Sequence, residues 1–141
     1  MSQRKFITDF LGIQGWEVMP EDIVIRAQEV IVAIKRQNRR KYQCSRCGSR
    51  RVVLYDHLPQ RLIRDFPVWG KKCFLKVRRA RVKCPNCGVC VEKLNWTDAR
   101  QRQTLRYEKY LAQLCEILSV KDIAKLEHVD KGTLYRLDKK W

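Results

Sequence analysis

Apolar positions along the chain change period twice, from helical to strand-like and back to helical, and mark out its zones. Near the start, Phe6, Ile7, Phe10 and Leu11 recur at helical spacing and stop at Gly12, which predicts a short packing helix. Two β-branched runs follow, Ile23-Val-Ile and Val30-Ile-Val, on either side of Arg26 to Glu29. They predict paired strands, with a helix through Val30 to Ile34 as the alternative. Further on, Arg51-Val-Val-Leu-Tyr and the run from Cys73 to Lys83 predict strands, separated by a turn at Asp65-Phe-Pro-Val-Trp-Gly, where Pro67 and Gly70 break the pattern.

Beyond Thr104 the period becomes helical, with Tyr107, Leu111, Leu114, Cys115 and Leu118 on one stripe. Ser119-Val-Lys-Asp122 has the pattern of a capped helix start, and Ile123 and Ala124 then point inward. Val129 follows a turn, Asp130 is a second candidate N-cap, and Leu134 and Leu137 return at i, i+3. This is helix-turn-helix patterning. Where such turns often carry glycine the chain has His128, a residue enriched at positive φ. The expected fold class is α+β: a lead-in of helix and strands over 1–40, a β-rich zinc-ribbon-like module over 41–96, and an all-helical helix-turn-helix module over 97–141.

Seven cysteines alter that picture. Cys44-Ser-Arg-Cys47-Gly48 and Cys84-Pro-Asn-Cys87-Gly88 are matched knuckles in which the following glycine permits positive φ. Four thiolates make a closed tetrahedral set, so Cys44, Cys47, Cys84 and Cys87 are the expected ligands of one zinc ion. Spacing alone also suits iron. Cys90 leaves the fourth position open, but the glycine after Cys87 favours Cys87. Cys73 and Cys115 sit in apolar runs and read as small core residues. An odd cysteine count points away from a disulfide framework and toward a reducing compartment. A deaminase-type zinc site would need His-x-Glu and Pro-Cys-x-x-Cys, and neither is present.

Charge supplies the expected partner. Lys and Arg number 31 against 15 Asp and Glu, a formal net charge of +16. This excess is dispersed through a folded region rather than along one amphipathic helix, which favours a nucleic-acid backbone over a lipid surface. In the last helix Lys131, Thr133, Arg136 and Lys140 are left for DNA once Leu134 and Leu137 turn inward. Arginine is suited to bidentate readout of guanine and lysine to phosphate. The basic strand adds Arg78, Arg79 and Arg81 as phosphate contacts. Of four tryptophans only Trp69, beside Lys71 and Lys72, suggests stacking on a base. No stretch approaches the roughly 20 apolar residues of a membrane span, and no signal core opens the chain. The expectation is a cytoplasmic protein that binds double-stranded DNA, with a homodimer left open.

The order of these features resembles the N-terminal region of bacterial insertion-sequence transposases of the ISL-three type. The resemblance rests on Cys44-x-x-Cys47-Gly48, Arg64-Asp65-Phe66-Pro67 with Trp69-Gly70, Arg78-Arg79-Ala80-Arg81-Val82-Lys83, Cys84-x-x-Cys87, Glu92, Thr104-Leu-Arg-Tyr107 and the helix-turn-helix. It implies a zinc module and helix-turn-helix that recognise the terminal inverted repeats of the element. Strand cleavage and joining would belong to an RNase H-like domain not found in these residues, so the chain itself is expected to be non-catalytic. A stand-alone zinc-containing transcriptional regulator is the alternative reading.

Overall fold

The computed structural model describes residue 13 and residues 15–37, 41–98 and 101–141. The helix expected between Phe6 and Gly12 lies outside them. Among the described residues, seven strands precede the helices: β1 (Trp16–Ile25), β2 (Glu29–Arg36), β3 (Val53–His57), β4 (Arg61–Val68), β5 (Lys71–Val77), β6 (Ala80–Cys84) and β7 (Gly88–Val91). Three helices follow: α1 (Leu105–Leu114), α2 (Val120–Glu127) and α3 (Lys131–Lys140).

The strands form two sheets, one ordered β1-β2-β5-β4 and the other β3-β6-β7. In the first, β1 and β2 pair antiparallel as their β-branched runs predict, with Val24 opposite Ile31. Their partner across the sheet is distant in sequence: β2 lies parallel to β5, with Val32 opposite Leu75. Strands from both sides of residue 40 therefore share one core. Period-two alternation points Val30, Val32 and Ile34 of β2, Ile63 of β4 and Cys73, Leu75 and Val77 of β5 to a single buried face. Trp16, Leu94 and Trp96 complete the cluster, with the two indoles edge to face at 6.1 Å.

Two expectations change at this level. Pro67 does not end its strand but lies within β4, where pairing with β5 shifts register between Asp65 and Val68. β4 is an edge strand, and an edge with an irregularity is where a sheet tolerates a residue without an N–H. Trp69-Gly70 alone makes the turn. The basic run from Cys73 to Lys83 is not one strand but two, broken at Arg78-Arg79, so that β5 serves the first sheet and β6 the second.

The helices pack Tyr107 and Leu111 of α1, Ile123 of α2, Val129, and Leu134 and Leu137 of α3 into a second core. Each start is capped as a side-chain oxygen accepts an orphan N–H. Thr104 accepts from Tyr107, Ser119 from Asp122, and Asp130 from Thr133. α1 stops at Leu114, so Leu118 leaves the stripe assigned to it and is exposed. The following residue, Ser119, already commits the backbone to the next cap.

Strand β4 joins the sheets to the helices. The Arg64 backbone N–H donates to the Arg102 carbonyl at 2.7 Å, and its carbonyl accepts from the Thr104 N–H at 2.9 Å. Its guanidinium donates to the Glu127 and His128 carbonyls at the end of α2. Asp65, almost wholly buried, accepts from Thr104 Oγ1 at 2.8 Å and takes both arms of the Arg106 guanidinium. Phe66 enters the helical core against Tyr107 and Tyr110, with ring centroids 5.7 and 5.0 Å away.

Burial and then the nearby Asp65 charge push the Cys73 thiol up to about 11, with Arg106 partly opposing. In the folded protein at pH 8 Cys73 should remain unalkylated by iodoacetamide and should react only on unfolding. Peptide mass spectrometry gives the readout, and labelling at the rate of a free thiol would contradict the packing.

Candidate metal centre and nucleic-acid interface

Each knuckle is built by backbone hydrogen bonding around a glycine. At the first, the Gly48 N–H donates to the Cys44 carbonyl at 3.0 Å, the Cys44 N–H to the Ser49 carbonyl at 2.9 Å, and the Arg46 N–H to Cys44 Sγ at 3.4 Å. Gly48 takes φ 77°, in the left-handed region where a side chain would be strained. The second knuckle is the turn of the β6–β7 hairpin itself, with Cys84 paired to Gly88. An isolated bridge from Cys44 to Glu92 brings the first knuckle alongside the end of β7.

The sulfurs of Cys44, Cys47, Cys84 and Cys87 all lie within 4.8 Å of one another. Tetrahedral zinc with bonds near 2.3 Å requires sulfurs about 3.8 Å apart, so the quartet fits the ion with little movement. Neither histidine joins the cluster. Burial opposes ionisation of Cys44, but donors from the Cys47 and Arg46 backbone, with the Cys90 and Cys47 thiols, outweigh it and hold Cys44 down at about 6. Cys87 is pushed up to about 12, chiefly by its hydrogen bond with Cys47. The Cys44 thiolate thus forms readily, whereas metal binding at Cys87 must displace a proton.

Cys90 is a fifth sulfur. It is buried on β7 with its Sγ 3.3 Å from that of Cys44, hence a close neighbour of the quartet. The centre is tied to the larger sheet by Glu92, which is buried, accepts from the Ala80 N–H at 3.1 Å and pairs with Arg36 of β2. Arg36 in turn lies over Tyr42 at 4.1 Å and Trp16 at 5.0 Å.

The second site is the α2–α3 pair. His128 closes α2 at φ 53°, ψ 46°, doing the work of the usual glycine, and Val129 drops into the core. Asp130 then starts α3, where Leu134 and Leu137 are buried while Lys131, Tyr135 and Arg136 are exposed.

Comparison with known proteins agrees with both geometries. Residues 40–87 match the family model described as the zinc-finger of transposase IS204/IS1001/IS1096/IS1165, and residues 92–141 match the helix-turn-helix domain of transposase family ISL3. The chain carries the N-terminal modules of ISL3-type transposases. It is 28% identical over 144 residues to the transposase for insertion sequence element IS1001 of Bordetella parapertussis, covering 99% of this chain and 34% of that relative. It therefore spans about a third of the length of the curated relative it matches. No solved structure matches the chain. The ISL3 zinc finger and the cysteine quartet placed to hold a metal support one zinc ion, and the ISL3 helix-turn-helix makes this a DNA-binding region. Among the described residues no helix is long and apolar enough to cross a membrane.

Within the ISL3 modules the cations expected to meet DNA separate into distinct groups. Lys131 and Arg136 are exposed on α3, with Thr133 half-buried beside them. Tyr135 is 57% exposed and joins that face. Lys140 turns away, donating to Asp98 and to Glu108 at 2.8 Å. Glu108 is completely buried, and a buried carboxylate requires a cation. In the ribbon Arg78 is exposed and donates to the Leu58 carbonyl at 3.2 Å. Arg79 is 3% exposed, and burial together with the Arg61 charge brings its pKa down to about 10. It reaches the Gln101 carbonyl at 3.5 Å and ties the ribbon to the approach of α1. Arg81 is engaged by Asp56 directly across the β3–β6 pair, in a two-armed contact. Arg79 is thus enclosed, Lys140 is held by two carboxylates and Arg81 is paired with Asp56. Strand alternation about Val82 and the helical offset from Leu137 do not reveal such partners, because Asp56, Asp98 and Glu108 lie 25 or more residues away.

Cys87→Ser should abolish the stoichiometric zinc and lower the melting temperature, whereas Cys90→Ser should retain one zinc per chain by metal analysis. The reverse pattern would move the fourth ligand to Cys90. Lys140→Ala should cost about 1–3 kcal/mol in denaturant unfolding by leaving Glu108 buried and unpaired. Burial works against the Lys140 charge, but the hydrogen bonds it donates to Asp98 and Glu108 hold its pKa above the ordinary 10.5. This contribution therefore persists through neutral pH and is lost only as pH rises through that elevated value.

Proposed function

We propose that this chain recognises the terminal inverted repeat of an insertion element, with α3 lying in the major groove. The observation that carries the reading is the exposed face of α3. It presents Lys131, Tyr135 and Arg136, and neither cation has an ion-pair partner among the described residues. Arg136 reads a base edge, Lys131 and Thr133 at the N-terminal turn hold phosphate, and Tyr135 contacts the groove beside Arg136. Arg78 and the remaining outward charge of the ribbon neutralise backbone phosphates. Zinc has a structural role in this reading: a closed tetrathiolate leaves no open position for substrate.

Strand cleavage and joining are proposed to lie with other parts of a transposase. The chain matches only 34% of its relative, and among the described residues the only cluster able to hold a metal is the cysteine quartet. An acidic constellation for two-metal phosphoryl chemistry is not among them.

The test is titration of wild type and variants against a terminal-repeat duplex and a random duplex at several salt concentrations. Arg136→Ala should lose roughly 1–3 kcal/mol on the repeat and less on random DNA. Arg78→Ala should weaken both duplexes alike and reduce the log-log salt slope by about one. Arg79→Ala should act through stability instead. Wild-type protein with no preference for the repeat would refute terminal-repeat recognition, and no binding to either duplex would refute DNA binding.

A further inference from the structure

The β4–β5 hairpin ends in a residue that nothing in the helix-turn-helix or the zinc centre explains. Trp69 is 95% exposed, although Trp16 and Trp96 are buried and Trp141 is half-covered. Its backbone sits at φ 53°, and Gly70 follows at φ 76°. Tight hairpin turns of this kind favour Asn-Gly or Asp-Gly, because both central residues occupy the left-handed region. A bulky aromatic residue there is strained. The largest side chain thus occupies a position where a small polar residue would be easier to fold and easier to hydrate.

Its surroundings point to an anionic, flat ligand. Lys71 and Lys72 follow immediately, and neither has a carboxylate partner among the described residues. Trp69 also borders a largely apolar hollow of about 420 Å³ whose lining includes Phe66, Pro67, Val68 and Cys73, with the Asp65 carboxylate in it already taken by Arg106. The mounting is rigid. Three residues before Pro67, β4 is bound through Arg64 to the end of α2, and Asp65 and Phe66 are fixed to α1. From Asp65 to Trp69 the strand advances about 13 Å. The ring is therefore carried at a set offset from the helix-turn-helix rather than on a free loop.

We propose that Trp69 is a second DNA contact, stacking its indole on an unstacked base of the bound duplex while Lys71 and Lys72 hold the adjoining phosphates. The inference rests on the DNA-binding reading above and adds to it a site away from α3. Aromatic stacking of this kind tolerates any base, since every base has a π-face. It responds to how easily the duplex opens at that step rather than to its hydrogen-bonding pattern.

Trp69→Gly separates this role from a purely structural one, because the two make opposite demands on the same residue. Removing the ring relieves the left-handed backbone, so the melting temperature should stay level or rise by about 2–6 °C. Affinity for a terminal-repeat duplex should fall by about 5- to 150-fold, the range of one lost base stack. Trp69→Phe should retain part of that affinity. An abasic site or single mismatch scanned through the duplex should strengthen wild-type binding at one position and leave Trp69→Gly indifferent there. In a Trp141→Phe background the same duplex should quench indole emission, and the quench should vanish when Trp69→Gly is added. Unchanged affinity and unchanged quench for Trp69→Gly, with Arg136→Ala still impaired, would overturn this inference alone. A wild type that binds no duplex would overturn the DNA-binding reading and this contact with it.

Discussion

The carboxylate of Asp65 is the constraint on which the arrangement depends. It is buried on an edge strand, and it is held by Thr104 Oγ1 and by both arms of Arg106. Thr104 uses the same hydroxyl oxygen to cap α1, so the start of the helical module and the edge of the sheet are defined by one cluster. A charge buried in this way is unstable without its partners and strongly directional with them. With Arg64 before it and Phe66 after, three consecutive residues join the four-stranded sheet to α1 and α2.

Stability is divided between two small apolar cores and a metal, as expected where neither module is large enough to bury a generous interior. The first core depends on a parallel pair of strands far apart in sequence, the second on three short helices. The ribbon sheet has little apolar substance of its own: its buried cluster is Cys44, Val82, Cys84 and Cys90. Metal binding supplies what the residues cannot, and Arg36 with Glu92 passes that constraint to the larger sheet.

Much of this was legible in the residue pattern. The knuckles, the helical caps at Ser119 and Asp130, the inward Leu134 and Leu137, and the left-handed His128 follow from local chemistry, where spacing and residue type are enough. What could not be read was set by distant partners. Arg79 and Lys140 look like surface cations in sequence, and only the fold shows that one is enclosed and the other answers a buried glutamate. Pro67 looks like a turn because its own preferences say so, and the edge of a sheet makes it tolerable as strand. The parallel pairing of β2 with β5 has no local signature at all.

That pairing orders events on the growing polypeptide. β1 and β2 leave the ribosome early as a two-stranded ribbon, which has little stability alone. Their neighbour β5 emerges only after the first cysteine knuckle and β3 have already appeared, and that knuckle must itself wait for Cys84 and Cys87. The β6–β7 hairpin, by contrast, brings its two thiols together within a few residues, so loop closure there is fast and entropically slight. The larger sheet can therefore close before the ribbon does: β5 is available to β2 while the first knuckle still waits for the thiols of the β6–β7 hairpin.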